Sequence, residues 1–334
     1  MAKIGVIGAG AWGITLAKLL DQNQQEVTIW CHDEKAKHDL DKKHSLFALF
    51  SSTKLPKKVK TSTDLAKIVT GSDILVLVVA SHFYRKMIKA LKPILKPEQV
   101  LISATKGLEE DSMKRMSEVA AEELGESILE RFVVLSGPNL SKEIRRGHPA
   151  AAVAACKNMQ QAEKVQEIFS GKRFRVYSHT DVRGVELGGT LKNIIAIASG
   201  IADGFRFGTN SKAALMVRGA VEMGRLAVAL GAEPETLMGL AGMGDLIATC
   251  SSKLSRNHQV GEELAKGRSL VRILKGMSAV AEGVKTTKAV YKLAQQKGIE
   301  LPITEQVYQV LYKEKSPKQA ICDLMARDPK SEKA

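Results

Sequence analysis

Residues 8–13 read Gly8-Ala9-Gly10-Ala11-Trp12-Gly13, directly behind a β-branched run, Lys3 to Ile7, and before a stretch, Trp12 to Leu20, with apolar residues at helical spacing. Strand, glycine turn and helix in that order form a G-x-G-x-x-G unit. One glycine makes the tight turn, one lets the backbone approach a pyrophosphate, and one lets the helix sit close on the strand. The helix N-terminus adds unpaired N–H groups and a partial positive charge. Gly8, Gly10 and Gly13 are thus candidate contacts for a dinucleotide.

The chain continues as such a unit requires. Glu26 to Trp30 reads as a second strand and a polar helix follows it. Asp73 to Ala80 is apolar without alternation, the pattern of a strand covered on both faces in a parallel sheet. Val100 to Ser103 and Phe132 to Leu135 repeat it around a Glu-rich helix, and Ala150 to Cys156 and Phe174 to Tyr177 flank another helical pattern. This alternation predicts a doubly wound, mostly parallel α/β sheet of the Rossmann type. Near Asp181 the texture changes to Ala-, Met-, Leu- and Gly-rich helical periodicity, with no further convincing strand. The expected organisation is a dinucleotide-binding domain over residues 1–185 and an all-helical substrate domain over 186–334.

Composition narrows the partners. Fifty Lys and Arg against thirty-six Asp and Glu leave a net charge of +14, which favours anionic partners without choosing among nucleic acid, membrane surface and phosphorylated small molecules. No apolar run approaches the roughly 18–20 residues of a membrane span, the longest being Ile74 to Ala80 and Ile194 to Ala198. The N-terminus carries no signal-peptide pattern. Cys31, Cys156, Cys250 and Cys322 lie far apart without C-x-x-C spacing, as expected of reduced thiols in a cytoplasmic protein with no metal site.

Several polar residues stand where they are chemically useful. The second strand ends Trp30-Cys31-His32, with acid only at Asp33 and Glu34. An acid at Cys31 would hold the ribose 2′-hydroxyl of NAD, and its absence admits NADP. His32 is a candidate adenine or phosphate contact, or an ordinary exposed histidine. Lys106, in Ser103-Ala104-Thr105-Lys106-Gly107, follows a strand at the edge where open α/β sheets bind ligands. Ser136-Gly137-Pro138-Asn139 sits equivalently, before a helix opening at Ser141. Lys192 lies within the apolar Gly188 to Ala196 stretch, where Gly188, Lys192, Ala196 and Ser199 share a helix face. Buried, it becomes a usable general acid/base, while the structural alternative is pairing with Glu186 or another carboxylate. Asp245 follows the glycines Gly242 and Gly244, and Ser255-Arg256-Asn257 opens the next helix, a combination suited to clamping phosphate.

In this order and spacing, Ser103 to Glu109, Ser136-Gly137-Pro138, Glu186 to Asn193, and Gly244-Asp245-Leu246 through Asn257 resemble the bacterial-type NAD(P)-dependent sn-glycerol-3-phosphate dehydrogenase family across nearly the whole chain. The resemblance implies reversible hydride transfer between sn-glycerol 3-phosphate and dihydroxyacetone phosphate, with NADP or NAD as cofactor, a homodimeric assembly, and glycerol 3-phosphate supplied for phospholipid synthesis. It implies Lys192 as the acid/base at the C2 oxygen, with Lys106 and Asp245 beside it as catalytic and substrate-contacting neighbours. Gly137, Asn139, Ser255, Arg256 and Asn257 fall at substrate positions. Ala11, Trp12, His32, Lys106, Ser141, Arg256, Val280 and Glu282 fall at cofactor positions. Ala11 and Asn139 depart from the Ser or Thr that many relatives carry.

The alternatives are distinguishable. A β-hydroxyacid or 6-phosphogluconate dehydrogenase shares the two-domain plan but not the Ser255-Arg256-Asn257 run with its partner blocks. A nucleic-acid-binding role lacks a motif, and with two Trp, five Tyr and eight Phe the chain offers few stacking platforms. Membrane association lacks a lipidation signal or basic amphipathic anchor.

Overall fold

The computed structural model describes residues 1–43, 55–277, 280–329 and 331–332. The first part runs β1 (Lys3–Ile7), α1 (Ala11–Gln22), β2 (Glu26–Trp30), α2 (Glu34–Lys43), β3 (Lys60–Ser62), α3 (Leu65–Thr70), β4 (Ile74–Leu77) and α4 (Ser81–Leu91). It continues through β5 (Val100–Ser103), α5 (Met116–Leu124), β6 (Phe132–Ser136), α6 (Ser141–Arg145), β7 (Ala150–Ala155), α7 (Met159–Phe169) and β8 (Phe174–His179). The eight strands form one sheet in the order β3-β2-β1-β4-β5-β6-β7-β8, parallel throughout except where β7 runs antiparallel to β6. Strand order reverses between β1 and β4, which opens a crevice at their carboxyl ends.

The uninterrupted apolar strands are buried on both faces. Val6, Val76 and Ile102 join the core beneath α1 and α7, whereas Ile7, Leu75, Leu77 and Leu101 join the one beneath α4 and α5. β3 was not foreseen in the sequence. It is a three-residue edge strand of Lys, Thr and Ser, too short and too polar to carry a periodic signal.

From Asp181 onward the described residues contain helices and no strand. They are α8 (Val182–Gly204), α9 (Thr209–Ala229), α10 (Pro234–Met238), α11 (Asp245–Ser251), α12 (Arg256–Ala265), α13 (Leu270–Gly276), α14 (Glu282–Lys297), α15 (Pro302–Tyr312) and α16 (Pro317–Met325), with a π-helical turn at Leu240–Gly244. α8 opens on an Asp181 cap, its carboxylate accepting from Gly184 N at 2.8 Å, so the expected junction at 185/186 falls within its first turns.

α8 also corrects the expectation that no segment is long and apolar enough to cross a membrane. By length and composition this 23-residue helix is, although 94% of its apolar window is buried in protein. Glycine, threonine and a few polar residues break its apolar runs in sequence. They face neighbouring helices rather than solvent, because α9, α11, α12 and α14 all pack around α8.

Candidate active site

Parallel register brings the ends of β1, β4 and β5 level, pairing Ile7 with Leu77 and Leu77 with Ser103. The turns after these strands therefore meet along one edge. Behind β1, Gly8 takes φ +127°, and a Cβ there would lie 2.5 Å from the Val78 carbonyl oxygen. A Cβ on Gly13 would lie 1.9 Å from the Gly8 carbonyl oxygen, so only glycine lets α1 start this close to its strand. Gly10, by contrast, faces open space and has no side-chain cap, leaving the first N–H groups of α1 available to an anion. The cradle fits a pyrophosphate. Ala11 and Trp12 form its first helical turn, with Trp12 packed against the sheet core.

The polar centre lies where this edge meets α8. Lys192 is 7% exposed and Asp245 is 2% exposed. Lys192 Nζ donates to Asp245 Oδ1 at 3.0 Å and to Thr249 Oγ1 at 2.6 Å. Lys106 Nζ donates to the other oxygen of Asp245 at 2.5 Å and to the Gly137 carbonyl at 3.0 Å. One carboxylate thus holds two ammonium groups from different parts of the chain. Burial pushes the Lys192 ammonium down to about 8, with Asp245 pulling it up and the charge of Lys106 adding to the depression. Burial opposes ionisation of Asp245, yet the two lysines hold its carboxyl below the ordinary carboxylate range. The Glu186 pairing considered for Lys192 does not occur. Glu186 instead accepts from Arg115 Nη1 at 2.7 Å and from Ser117 N and Oγ at 2.8 and 2.6 Å.

The glycines near Asp245 shape packing. The π-helical turn containing Gly242 lies so close to α8 that a Cβ on Gly188 would be 2.6 Å from the Ala241 carbonyl oxygen. That contact seats Asp245 opposite Lys192, on the small-residue face the sequence showed.

Beside this centre, Ser255 caps α12 by accepting from His258 N at 3.2 Å. Asn257 Nδ2 donates to Asn193 Oδ1 at 2.8 Å, and Asn257 Oδ1 accepts from Gly283 N at 3.0 Å. Arg256 makes no hydrogen bond among the described residues, and its guanidinium lies within the electrostatic reach of Glu282. Glu282 opens α14 and reaches across to α4, accepting from Ser81 Oγ at 2.7 Å and Ser81 N at 3.3 Å. Asn139 keeps both side-chain polar atoms buried and unpartnered, with its Nδ2 near Gly137. Ser141 is the first residue of α6.

Other sequence candidates stand outside the polar cluster. His32 lies on the surface, paired with Asp33 at 2.8 Å, and Asp33 also caps α2 through Ala36 N at 2.6 Å. Val280 is exposed at the approach to α14. Four contributors were missed in the sequence: Thr249, Asn193, Thr190, whose Oγ1 accepts from Gly107 N at 3.1 Å, and Ser81. Thr249 had a readable signal, since it follows Asp245 by one helical turn. Among the described residues no group of three or more His, Cys, Asp or Glu side chains is placed to hold a metal ion. A separate, mainly apolar cavity of about 1050 Å³ lies between α8, α9, α15 and α16 and is lined in part by the buried Glu222.

Comparison with known proteins gives a consistent picture. The family models described as NAD-dependent glycerol-3-phosphate dehydrogenase N-terminus and C-terminus match residues 3–162 and 181–322. The chain is 45% identical over 331 residues to glycerol-3-phosphate dehydrogenase [NAD(P)+] of Geobacter metallireducens, covering 99% of each chain. It is 46% identical over 330 residues to the enzyme of the same description from Syntrophotalea carbinolica, again with 99% of each covered. Among solved structures, the glycerol-3-phosphate dehydrogenase of Coxiella burnetii superposes with a TM-score of 0.92 at 36% identity, over 98% of this chain and 99% of that one.

Proposed function

Since the chain belongs to the NAD-dependent glycerol-3-phosphate dehydrogenase family, we propose that Lys192 is the acid/base of the reaction and that Lys106 and Asp245 set its charge. The protein is an NAD(P)-dependent oxidoreductase that interconverts sn-glycerol 3-phosphate and dihydroxyacetone phosphate. The observation that carries the assignment is the buried Lys192–Asp245–Lys106 arrangement, with two ammonium groups on one carboxylate at the carboxyl edge of the sheet.

Gly8, Gly10, Ala11, Trp12, Gly13, His32, Lys106, Ser141, Arg256, Val280 and Glu282 would hold the dinucleotide, around the uncapped N-terminus of α1. When bound, its nicotinamide ring supplies the hydride for reduction of C2 and takes it back in oxidation. In reduction, Lys192 gives a proton to the C2 oxygen, and in oxidation the neutral amine takes that proton. Lys106 stabilises charge developing on the same oxygen. Asp245 aims both ammonium groups, and Thr249 helps fix the Lys192 rotamer. Gly137, Asn139, Ser255, Arg256 and Asn257 bind substrate, with Arg256 on its phosphate.

Cys31 at the end of β2 and an Asp33 carboxylate engaged by α2 favour acceptance of NADP as well as NAD. The same reading extends to residues 1–185 and 186–334 as cofactor and substrate domains, a homodimer, a cytoplasmic location and supply of glycerol 3-phosphate for phospholipids. Dihydroxyacetone phosphate reduction measured with NADPH and NADH side by side tests reaction and cofactor together. Turnover with neither, or oxidation of 6-phosphogluconate instead, would overturn the assignment.

A further inference from the structure

α8 and α12 cross with their backbones in contact. A Cβ on Gly200 would lie 2.0 Å from the His258 carbonyl oxygen, and one on Gly261 2.0 Å from that of Ile197. Such a crossing holds α12 close but offers few side-chain ridges to stop it rotating about its own axis. Rotation matters here because Ser255, Arg256 and Asn257 occupy the cap and first turn of α12, and Arg256 makes no hydrogen bond of its own among the described residues to hold its direction.

Two side chains act as stops. Asn257 bonds Asn193 and Gly283 on one side. On another, the fully buried His258 places Nε2 2.7 Å from Asp203 Oδ2, at the end of the helix that carries Lys192. Asp203 is itself fixed by Lys212 Nζ from α9 at 2.7 Å. His258 Nδ1 has no hydrogen-bond partner, the nearest carboxylate oxygen being Glu262 Oε2 at 3.8 Å. Asp203 is therefore the one side-chain acceptor for this imidazole among the described residues. The backbone N–H of His258 meanwhile holds the Ser255 hydroxyl.

We propose that His258 is a positioning residue, whose bond to Asp203 fixes the rotation of α12 and thereby the direction in which Ser255 and Arg256 meet the substrate phosphate. The proposal rests on reading residues 255–257 as the phosphate-binding run. His258→Phe retains the bulk and removes the bond, and His258→Gln retains a donor close to the position of Nε2. H258F is expected to raise the KM for dihydroxyacetone phosphate about tenfold, leaving kcat and the KM for NADPH within about twofold. H258Q is expected to stay within about threefold of wild type in all three. An unchanged KM in H258F alongside a lowered Tm overturns the proposal, because the histidine then only stabilises. An H258Q as impaired as H258F overturns it as well. Should H258F fail to accumulate, D203N takes its place, since weakening the acceptor must raise the same KM and a wild-type value refutes the proposal. Arg256→Ala separates the two readings. If R256A leaves the KM unchanged, the clamp assignment itself fails, whereas a raised KM in R256A with none in H258F defeats only the positioning role.

Discussion

Lys192 and Asp245 lie on different helices, α8 and α11, yet their charged atoms stand 3.0 Å apart in a buried setting. The second oxygen of Asp245 is taken by Lys106 from the sheet edge. A single carboxylate between two ammonium groups keeps net positive charge in a buried site. Such a site favours an anionic substrate and an amine that gives up its proton readily.

Replacing Lys192 with Ala is expected to lower kcat by at least about a hundredfold, the usual scale of a lost acid/base group. NADPH affinity should stay within about twofold, as measured by fluorescence titration. Retained turnover would remove the lysine from the chemistry.

The pH profile follows from the same group. With the Lys192 ammonium at about 8, oxidation of glycerol 3-phosphate needs the neutral amine, so its rate should climb toward pH 8 and level off above it. Reduction needs the ammonium and should decline above the same point. Equal profiles in both directions would be inconsistent with one group serving both.

Arg256→Ala should mainly raise the KM for the phosphorylated substrate, by about tenfold or more, through loss of a charge-assisted contact. An effect confined to cofactor affinity would contradict the clamp.

Arg115→Ala removes the cationic partner of the buried Glu186, leaving only Ser117 to satisfy its carboxylate. The expected loss is about 3 kcal/mol, readable in urea unfolding, because a buried charge is left without its counter-ion. A change below about 1 kcal/mol would mean that the pair contributes little.

Glu222 is buried against α15, where it accepts from Ile303 N, Thr304 N and Thr304 Oγ1. Burial raises its carboxyl from 4.5 to about 7 despite those bonds. A raised folded value means its contribution to stability is complete below about 4.5 and is lost as pH rises through about 7. The Tm deficit of Glu222→Ala, which cannot titrate, should therefore be larger near pH 5 than at pH 8, by about 2–4 °C. A gap of the same size at both pH values would rule out titration at this position.

The α/β half was legible because its signals are local. Gly8, Gly10 and Gly13 report a backbone path, and the apolar run from Ile74 to Leu77 reports a strand covered on both faces. Lys60–Ser62 escaped because a three-residue polar edge strand is defined by its neighbour β2 rather than by its own composition. Ser81 escaped because both its hydrogen bonds go to Glu282, 201 residues away, and Thr249 because its contact with Lys192 links two helices far apart in sequence, although its spacing from Asp245 was readable.

Sequence by itself determined the alternation of strands and helices apart from β3, the glycine turn after β1, and the places in the chain of Lys106, Lys192, Asp245 and the 255–257 run. The tertiary structure alone decided which carboxylate serves which cation. Lys192 pairs with Asp245 rather than with Glu186, which is nearer in sequence, because glycine contacts draw the turn before α11 onto one face of α8 while Arg115 and Ser117 occupy Glu186. Pairing depends on which helix faces meet, and the faces that meet are set by close packing over the whole domain.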